Sequence, residues 1–383
     1  MKKIIFILIL ASINLQFLYA QEPTKIDSLS SEVLQSVFVE EPEFLDSTSR
    51  KSSLKAYPYA FYTPESKLAF GAGGIFIFYT NKTSDVKPSK IGFGGYYSTN
   101  NQYKISMNNT YYFWENKFYF NLPISYGRFI NKYWGVGDDV DDYDNAGYTI
   151  ETFSTTLTLQ LPPVWFAADR SGIIFDYDNT RIVDKQNNDL LKNDSNSVIG
   201  ANGGELFGIG GDLVWDTRDN IFFPNTGGYQ YFKVVFYPGM SDFVYANFEL
   251  DVRHYRAFSK DHVLAGNFYL NSTVGDAPFY KLPSVGGKRM RGYFYGRYRD
   301  NFFAMLQMEY RQYFAKKWGF VLFGSAGNVS HTILEYDFNT LKYTYGTGLR
   351  YLFNEKERVN LRMDIGVNTD GSMGIYFGIE EAF

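Results

Sequence analysis

The stretch FVYANFELDVRHYRAF, residues 243–258, alternates apolar and polar side chains with a period of two residues. A period of two places successive side chains on opposite faces of a β-strand. The apolar face carries Val244, Ala246, Phe248, Leu250 and Val252. The polar face carries Asn247, Glu249, Asp251 and Arg253. The segment predicts a strand with one apolar and one charged face, although a half-buried strand of a soluble sheet alternates in the same way.

The same pattern recurs along the chain without an intervening helical period. Two clear examples are RVNLRMDIGV and FFAMLQMEYRQYF. Their polar faces carry Asn360, Arg362, Asp364, Gln307, Glu309 and Arg311. Strand periodicity and turn residues together predict sixteen strands: 56–63, 67–80, 90–98, 103–114, 117–127, 147–161, 163–176, 205–217, 228–238, 243–257, 261–273, 301–314, 317–327, 341–353, 358–367 and 372–381.

The composition favours strands that cross a lipid bilayer. Aromatic residues make up 19% of the chain, with 33 Tyr and 36 Phe, and the mean hydropathy is −0.27. Transmembrane β-barrels combine outward apolar residues and aromatic girdles with polar residues that face the lumen, so the average hydropathy stays low. A secreted β-sandwich or propeller is the alternative on composition alone.

The chain begins as an exported protein does. MKKIIFILILASINLQFLYA has two lysines, an apolar run and a small residue, which predicts a signal peptide over 1–20. A signal anchor is the alternative, but the run is short for a membrane span. The absence of cysteine excludes a disulfide framework and a lipidated cysteine. We predict a periplasmic tether over 21–55 with at most a short helix, followed by an all-β, 16-stranded antiparallel transmembrane barrel over 56–383.

The connections between predicted strands differ in length on the two sides. If the N-terminus is periplasmic, the periplasmic turns are mostly short. The long connections, 128–146, 177–204, 274–300 and 328–340, then all lie outside. Short periplasmic turns and long extracellular loops are typical of outer-membrane barrels.

The sixth outside loop contains KLPSVGGKRMRGYFYGRYRD, with six cationic side chains and one acidic one in a chain of net charge −4. This loop and the following strand, KRMRGYFYGRYRDNFFAMLQMEYRQYF, resemble the BamA/TamA-like bacterial surface-antigen outer-membrane barrel superfamily. The family's barrels have sixteen strands, and their sixth loop folds into the lumen through an Arg-Gly-aromatic motif. Arg291, Gly292 and Tyr293 match this motif, and Glu309 and Arg311 match the family's Glu-x-Arg strand.

Further matches extend the resemblance over 57–383. GIGGDLVWDTRDNIFFPNTGGYQ is similar to the family's periplasmic turn, at Asp216, Thr217, Arg218 and Asp219. YPYAFYTPESKLAFGAG resembles the first hairpin, and the chain ends on an aromatic residue, Phe383, as the family does.

The sequence also departs from the family pattern. Ser325 stands where the family has an acidic residue, and Glu381 stands where an apolar residue is usual. Residues 21–54 are too few for a periplasmic polypeptide-transport-associated (POTRA) domain. The resemblance therefore implies a barrel-only member without POTRA domains.

The cost of burying charge predicts how the sixth loop is held. An uncompensated buried guanidinium costs several kcal/mol, on the order of a broken buried ion pair. Glu309 and Asp364 are expected on the inward face, so we predict that they pair with Arg291, with Arg311 beside them. Gly292 is expected to let the backbone turn without a Cβ clash. The alternative is a solvated loop whose charges meet only water or lipopolysaccharide phosphate, and Arg297 and Arg299 fit that description best.

The resemblance implies a protein that aids outer-membrane protein insertion or polypeptide translocation. Its seam would lie between the first strand, with Pro58, and the last, with Gly374, Gly378 and Phe383. Proline removes a ladder donor and glycine weakens packing, so this edge could open and pair with an incoming strand. A passive outer-membrane pore or an anchor for a partner complex is the alternative, and a lipid hydrolase is a third possibility. No enzymatic activity is expected.

No cofactor or metal is expected either. The acidic loop GDDVDDYDNAG contains Asp138, Asp139, Asp141, Asp142 and Asp144, but its spacing is not that of an EF-hand. A solvated acidic loop is favoured, and calcium stays open. The sequence pI of about 5.6 argues against nucleic acid. The expected partners are outer-membrane lipid and lipopolysaccharide, together with nascent outer-membrane or secreted polypeptides and accessory periplasmic or outer-membrane proteins.

Overall fold

The computed structural model describes most of the chain after its first 51 residues. The described residues are 52–63, 67–81, 89–114, 117–142, 146–162, 168–185, 187–193, 197–220, 223–354, 358–379 and 381–383. The predicted signal peptide lies outside them, as does nearly all of the predicted tether. The first strand begins at Ser53, so the tether cannot extend to residue 55 as predicted.

The described residues contain sixteen β-strands: β1 (Ser53–Thr63), β2 (Lys67–Phe78), β3 (Ser89–Ser98), β4 (Tyr103–Phe113), β5 (Phe118–Lys132), β6 (Gly147–Leu161), β7 (Arg170–Asp184), β8 (Gly203–Asp216), β9 (Gly227–Tyr237), β10 (Tyr245–Ser259), β11 (His262–Gly275), β12 (Phe302–Tyr313), β13 (Trp318–Ser330), β14 (Lys342–Asn354), β15 (Val359–Asn368) and β16 (Met373–Ile379). They form one sheet in which each strand pairs antiparallel with its neighbours in the sequence. The all-β prediction is confirmed.

Helical structure is confined to the connections. The described residues contain one short α-helix, α1 (Asp189–Asn193), and three 3₁₀ turns, Phe279–Lys281, Ile333–Glu335 and Phe338–Thr340. No helix in the described part of the chain is both long and apolar enough to cross a bilayer.

Most strand bounds lie close to their predicted positions, and β7 is the main exception. It was predicted over 163–176, but it runs from Arg170 to Asp184. Its second half, YDNTRIVD (177–184), was assigned to the outside connection 177–204, and it contains Asp and Asn, which favour turns. In the structure these residues continue the ladder with β6 and β8, and Asp178 and Thr180 are buried on the polar face.

The two faces of the sheet differ in chemistry and in exposure. On β12, Glu309 and Arg311 are at most 1% exposed, whereas Leu306 is 52% exposed and Met308 is 46% exposed. We call the face that carries Glu309 the inner face. It buries charge and the opposite face exposes apolar side chains, the reverse of a soluble sheet that packs one face on a core.

The first and last strands are the edges of the sheet. In the described residues, β1 forms a ladder with β2 and β16 forms one with β15, and no ladder joins β1 to β16. β16 has 7 residues and is the shortest of the described strands. An edge strand presents unpaired backbone N–H and C=O groups to any other chain that approaches it.

Candidate functional site

Residues 276–301 connect β11 to β12 and are called loop six below. Its apolar side chains pack on the inner face instead of facing water. Met290 and Tyr293 are at most 1% exposed. They belong to a buried cluster that is shared by the loop and strands β11, β12 and β13: Tyr269, Val285, Met290, Tyr293, Tyr298, Phe303, Met305 and Val329.

Gly292 allows loop six to lie directly on the backbone of β15. Its φ is +122°, and a Cβ there would come within 2.8 Å of the carbonyl carbon of Val367. The Gly292 N–H donates to the Tyr376 hydroxyl at 2.8 Å, and its carbonyl accepts from the Asn368 side-chain amide at 3.0 Å. Glycine was expected here because it lets the backbone turn without a Cβ clash. The structure agrees, since a side chain at this φ would be strained and would have no room.

Two tyrosines tie loop six to the turn between β15 and β16. The Tyr293 hydroxyl lies 2.9 Å from Thr369 Oγ1, and the Tyr298 hydroxyl donates to Asp370 Oδ2 at 2.9 Å. Burial, reinforced by the bond to Asp370, raises the pKa of Tyr298 to about 12. Burial also raises the pKa of Tyr293. Both phenols therefore stay protonated and keep their hydrogen bonds at neutral pH.

The structure brings Arg291 together with both carboxylates that the strand periodicity indicated. Its guanidinium pairs with Glu309 and, at 2.5 Å, with Asp364 Oδ2, and all three side chains are 0% exposed. The guanidinium carbon also lies 3.5 Å from the ring centroid of Phe323. Guanidinium groups favour planar pairing with carboxylates and stacking on aromatic rings, so this contact fixes the loop's position as well as its charge.

The same carboxylates bind further arginines. Arg311 Nη2 lies 2.9 Å from Glu309 Oε2, and Arg350 Nη1 lies 2.5 Å from Asp364 Oδ1. Arg350 Nε lies 2.7 Å from Glu381 Oε2. These buried groups form one network, called the arginine cluster below. Its members are Arg291, Arg311, Arg350, Arg362, Glu309, Asp364 and Glu381.

Arg362 is the least well paired member of the cluster. Its nearest carboxylate, Asp364, is 3.7 Å away, and its Nε and Nη1 have no hydrogen-bond partner among the described residues. It lies directly opposite Arg350 in the β14–β15 ladder. Among the described residues the cluster has four arginines and three carboxylates, an excess of one positive charge, and Arg362 is the arginine whose nearest carboxylate is farthest away.

Ser325 does not leave Arg291 without a partner. The serine hydroxyl is within hydrogen-bond distance, 2.5 Å, of the Thr344 hydroxyl on β14. The family pattern has an acidic residue at this position, so one usual partner of the loop arginine was expected to be missing. The two carboxylates of Glu309 and Asp364 pair with Arg291 instead.

The Asp-Thr-Arg-Asp segment forms the turn between β8 and β9. Asp216 pairs with Arg218 at 2.7 Å, and the Thr217 N–H donates to the Gly228 carbonyl. Asp219 accepts N–H bonds from residues 225 and 226 and pairs with Arg358 at 2.8 Å. Burial opposes ionisation of Asp219, but these bonds outweigh it and hold the pKa of this carboxyl below its usual value.

The docked loop, the buried ion pairs and the β8–β9 turn can now be compared with known protein families. A family model described as the Omp85 superfamily domain matches residues 87–383, which include loop six, the arginine cluster and the β8–β9 turn. The chain belongs to the Omp85 superfamily. The resemblance inferred from the loop and turn motifs is confirmed at the level of the family.

A solved structure has a similar fold. The chain is similar to the crystal structure of BamA from Haemophilus ducreyi lacking POTRA domains 1-3, with a TM-score of 0.58 and 16% identity, over 86% of this chain and 70% of that chain. This likeness shows the fold. A match to Pseudomonas aeruginosa OccK5 (OpdH) has a TM-score of 0.34 and 10% identity, over 86% of this chain and 98% of that one, which is too low to equate the folds. A search of curated proteins finds no significant match. The family and the fold point to the bacterial outer membrane.

One predicted site residue of this Omp85 chain, Phe383, and one residue expected to be solvated, Arg299, lie elsewhere than expected. Phe383, predicted at the seam, lies on the inner face, where its ring stacks on Tyr255 of β10 at 6.4 Å. β16 ends at Ile379, and the charge of Glu381 draws the last residues toward the arginines. Arg299, expected to be solvated, is 5% exposed and donates to the carbonyls of Phe279, Lys132 and Gly296.

The other seam residues do lie on the two edge strands. Pro58 is exposed on β1, opposite Ala72 of β2. On β16, Gly374 lies opposite Gly366, and Gly378 lies opposite Arg362. The seam residues are thus on the first and last strands of the Omp85 sheet, with Gly378 beside the arginine cluster.

The acidic loop is used for packing between loops. Asp138 Oδ2 accepts from Asn328 and from Thr340, both at 2.9 Å, and Asp142 accepts from the Trp134 indole at 3.1 Å. Among the described residues, no group of three or more His, Asp or Glu side chains could hold a metal ion. Asp144 lies outside the described residues.

Sequence reasoning missed two members of the arginine cluster. Arg350 lies on the inner face of β14, and the alternation in LKYTYGTGLRYLFN was a usable signal for it. Glu381 was noticed only as a departure from the family pattern. Its partners could have been inferred from charge, because an acidic residue at an apolar position beside buried arginines is expected to pair with them.

Proposed function

We propose that this Omp85 protein aids the insertion or translocation of polypeptides at the outer membrane. The observation that carries the proposal is the pair of edge strands, β1 and β16, which form no ladder with each other in the described residues. Unpaired edges can bind another extended chain through backbone hydrogen bonds. An incoming polypeptide is therefore the partner that this feature favours.

We further propose that the sixteen strands close into a barrel, with the inner face lining the lumen and loop six folded into it. The support is chemical. The inner face carries buried ion pairs, whereas the opposite face exposes side chains such as Leu322 and Ile209, each 50% exposed. Charged side chains are destabilising on the lipid face of a barrel, so the apolar face belongs in the bilayer.

In this mechanism, loop six and the seam have separate roles. Loop six, fixed by Arg291 to β12 and β15, holds the last strands in place. Since β1 and β16 form no ladder with each other in the described residues, they can separate without breaking a ladder between them. A client strand then pairs with the freed edge and leaves into the membrane with its own backbone groups already bonded.

The seam can be locked to test this proposal, because the chain contains no cysteine. Ala60→Cys, near the end of β1, is combined with Gly374→Cys or Ile375→Cys near the start of β16, because antiparallel strands bring these ends to the same side of the sheet, and the pair is joined with a reducible thiol crosslinker. The measurement is the insertion of an unfolded outer-membrane polypeptide into proteoliposomes, scored by its protease resistance. We expect the crosslinked protein to lose insertion and the reduced protein to regain it.

The matched control locks two interior strands. Ser171 and Leu213 are opposite each other in the β7–β8 ladder, so Ser171→Cys and Leu213→Cys crosslink strands that do not need to separate. This variant should insert the client at the wild-type rate. Normal insertion by a protein whose seam is locked would refute the proposed mechanism.

A second candidate function is an anchor for a partner complex. The connection between β13 and β14 favours it, because Leu334 is 94% exposed and Phe338 is 75% exposed on an ordered loop. An anchor needs neither an open seam nor a client, so locking the seam would leave its partner bound.

We propose no enzymatic role. A lipid hydrolase needs serine, histidine and a carboxylate or amide together. His262 contacts the Tyr310 hydroxyl, and His331 contacts Asn301 at 3.1 Å and Asp300 at 3.7 Å. Lipase activity that requires one of the three histidines would contradict this view.

A further inference from the structure

Residues 381–383, called the tail segment below, leave the sheet after β16 and turn onto the inner face. Glu381 is almost completely buried there. Its Oε2 lies 2.7 Å from Arg350 Nε and 3.9 Å from Arg311 Nε, and its Oε1 accepts from the Asn360 side-chain amide at 2.9 Å. The carboxylate therefore has three partners from three different strands.

The rest of the tail segment packs on strands β10, β11 and β12, four to six strands away from β16 in the sheet. Phe383 lies with its ring 5.3 Å from the Arg311 guanidinium carbon, and its main-chain oxygen accepts from Arg311 Nη2 at 3.0 Å. Ala382 and Phe383 join a buried cluster with Tyr255 of β10 and Ala265 of β11. The tail segment thus bridges the inner face from the last strand to β10 and β11.

Charge links the tail segment to loop six. Glu309 is shared by Arg291 and Arg311, and Asp364 is shared by Arg291 and Arg350. If Glu381 leaves, four arginines remain with two carboxylates. Arg350 and Arg311 then depend entirely on the carboxylates that hold Arg291, and they compete with it for them.

We propose that the tail segment is a latch in which Glu381, acting as a positioning residue, keeps loop six docked from a distance. Release of the tail segment weakens the hold on Arg291, and release of Arg291 weakens the hold on the tail segment. Such coupling is reciprocal by thermodynamic necessity. Its use during client insertion rests on the proposed function, but the latch itself is a property of the protein alone.

The first test neutralises Glu381 without changing its shape. In Glu381→Gln, trypsin should cleave loop six at least about tenfold faster, since hydrogen bonds between charged groups contribute more than neutral ones. The loop offers trypsin several lysines and arginines, including Lys288 and Arg289. Glu335→Gln, at an exposed carboxylate outside the cluster, is the control and should cleave at the wild-type rate. An unchanged rate in Glu381→Gln would overturn the proposal.

A second substitution that restores the charge balance can show whether Glu381 acts through its charge or only through packing. Arg350→Gln restores the excess of one positive charge when it is combined with Glu381→Gln, and it leaves Asp364 to Arg291. The double variant should be cleaved more slowly than Glu381→Gln alone. Additive effects of the two substitutions would show that Glu381 is only structural, because neighbouring charges that act together do not add.

The reverse direction is measured at the tail segment. Ala382 is 8% exposed, so Ala382→Cys is a buried and unique thiol in this chain. Its labelling by a water-soluble maleimide should accelerate in Arg291→Ala and in Glu381→Gln, and much less in Asn360→Ala, which keeps every charge. Labelling in Arg291→Ala at the wild-type rate would refute the coupling. Neither readout uses a client, so the latch and the proposed insertion activity can fail independently.

Discussion

Arg350 and Arg362 are neighbours of the same type with opposite roles. They lie opposite each other in the β14–β15 ladder, and both are buried. Arg350 lies within 2.7 Å of two carboxylates, whereas Arg362 has none closer than 3.7 Å in the part of the chain that the structure describes. A buried charge stabilises a fold only when close partners offset its desolvation. The two residues therefore form a matched pair for testing how the cluster is stabilised.

Replacing each arginine by methionine should give different results. Arg350→Met should lower the free energy of unfolding by about 3–5 kcal/mol, because it leaves the buried Glu381 carboxylate without its closest cation and removes one of the two arginines that lie 2.5 Å from Asp364. Arg362→Met should change it by less than about 1 kcal/mol or raise it, because a buried guanidinium whose nearest described carboxylate is 3.7 Å away becomes an apolar side chain. Urea unfolding in detergent micelles, followed by intrinsic fluorescence, measures both. Equal losses of unfolding free energy in the two variants would show that contact with a carboxylate does not determine how much a buried arginine contributes to stability.

Gly292 allows backbone strain and lack of space to be separated. Gly292→Ala combines an unfavourable φ with a clash against Val367, so it should destabilise loop six docking by about 1–3 kcal/mol. Gly371 also has a positive φ, +82°, but a Cβ there meets nothing within 4 Å. Gly371→Ala therefore measures strain alone. Tryptic cleavage of loop six should increase in Gly292→Ala much more than in Gly371→Ala, and similar rates would exclude the clash as a cause.

At the scale of single residues, the sequence predicted those contacts of Arg291 that follow from the alternation of side chains along a strand. Glu309 and Asp364 follow from a period of two, and burial of Arg291 then required them. Glu381 could not be placed in this way, because alternation holds only while the chain stays in the sheet. The chain leaves β16 after Ile379, and the direction of the following residues depends on charges contributed by β12 and β14.

At the scale of elements, the β8–β9 turn is tied to the β14–β15 connection by the pair of Asp219 and Arg358. The pKa of Asp219 is lower in the folded protein than its usual value. Its contribution to stability is therefore present above the pKa of the unfolded chain and is lost as the pH falls through the folded pKa. Stability that depends on this pair should decline with acid.

Asp219→Asn tests this sign. The wild type should be more stable than the variant by about 1 kcal/mol or less at neutral pH, since both side chains are about one-third exposed. The difference should shrink below about pH 4, where the unfolded carboxyl takes up a proton. Unfolding free energies of both proteins from pH 3 to 7 provide the measurement. A difference that grows on acidification would contradict the assignment.

The misplacement of β7 shows why strand ends are harder to predict than strand centres. DYDNTRIVD contains the residue types of a turn. Asp178 nevertheless lies within the strand, because Lys281 of loop six pairs with it at 2.6 Å. The partner is 103 residues away in the sequence, so local preference gives no sign of it.

At the scale of the whole molecule, positive and negative side chains are nearly balanced in number but lie in different places. The net charge is only −4, yet loop six is strongly basic and the strands beneath it supply the acids. Lys281 pairs with Asp178 of β7, Arg289 with Glu249 of β10, and Arg291 with β12 and β15. Loop six is thus attached by ion pairs to widely separated parts of the sheet. Loop six therefore covers the inner face and also connects distant strands across it.

This arrangement predicts that loop six limits ion flow through the proposed barrel. Deletion of 285–299 removes Arg291 and the four loop residues of the buried apolar cluster, and it leaves the inner-face acids facing water. Conductance in planar bilayers should rise from a low wild-type level to that of an open pore. Arg291→Ala, which frees the loop without removing it, should give intermittent openings of the same size.

Deletion of 333–338 is the control for loop removal itself, because this segment includes the exposed Leu334 and Phe338. Its conductance should match the wild type. The acids left by loss of loop six should also make the open pore prefer cations, so the reversal potential in a salt gradient gives a second readout. A 285–299 deletion that folds, as judged by heat-modifiable migration, and still conducts no more than the wild type would show that loop six does not close the lumen.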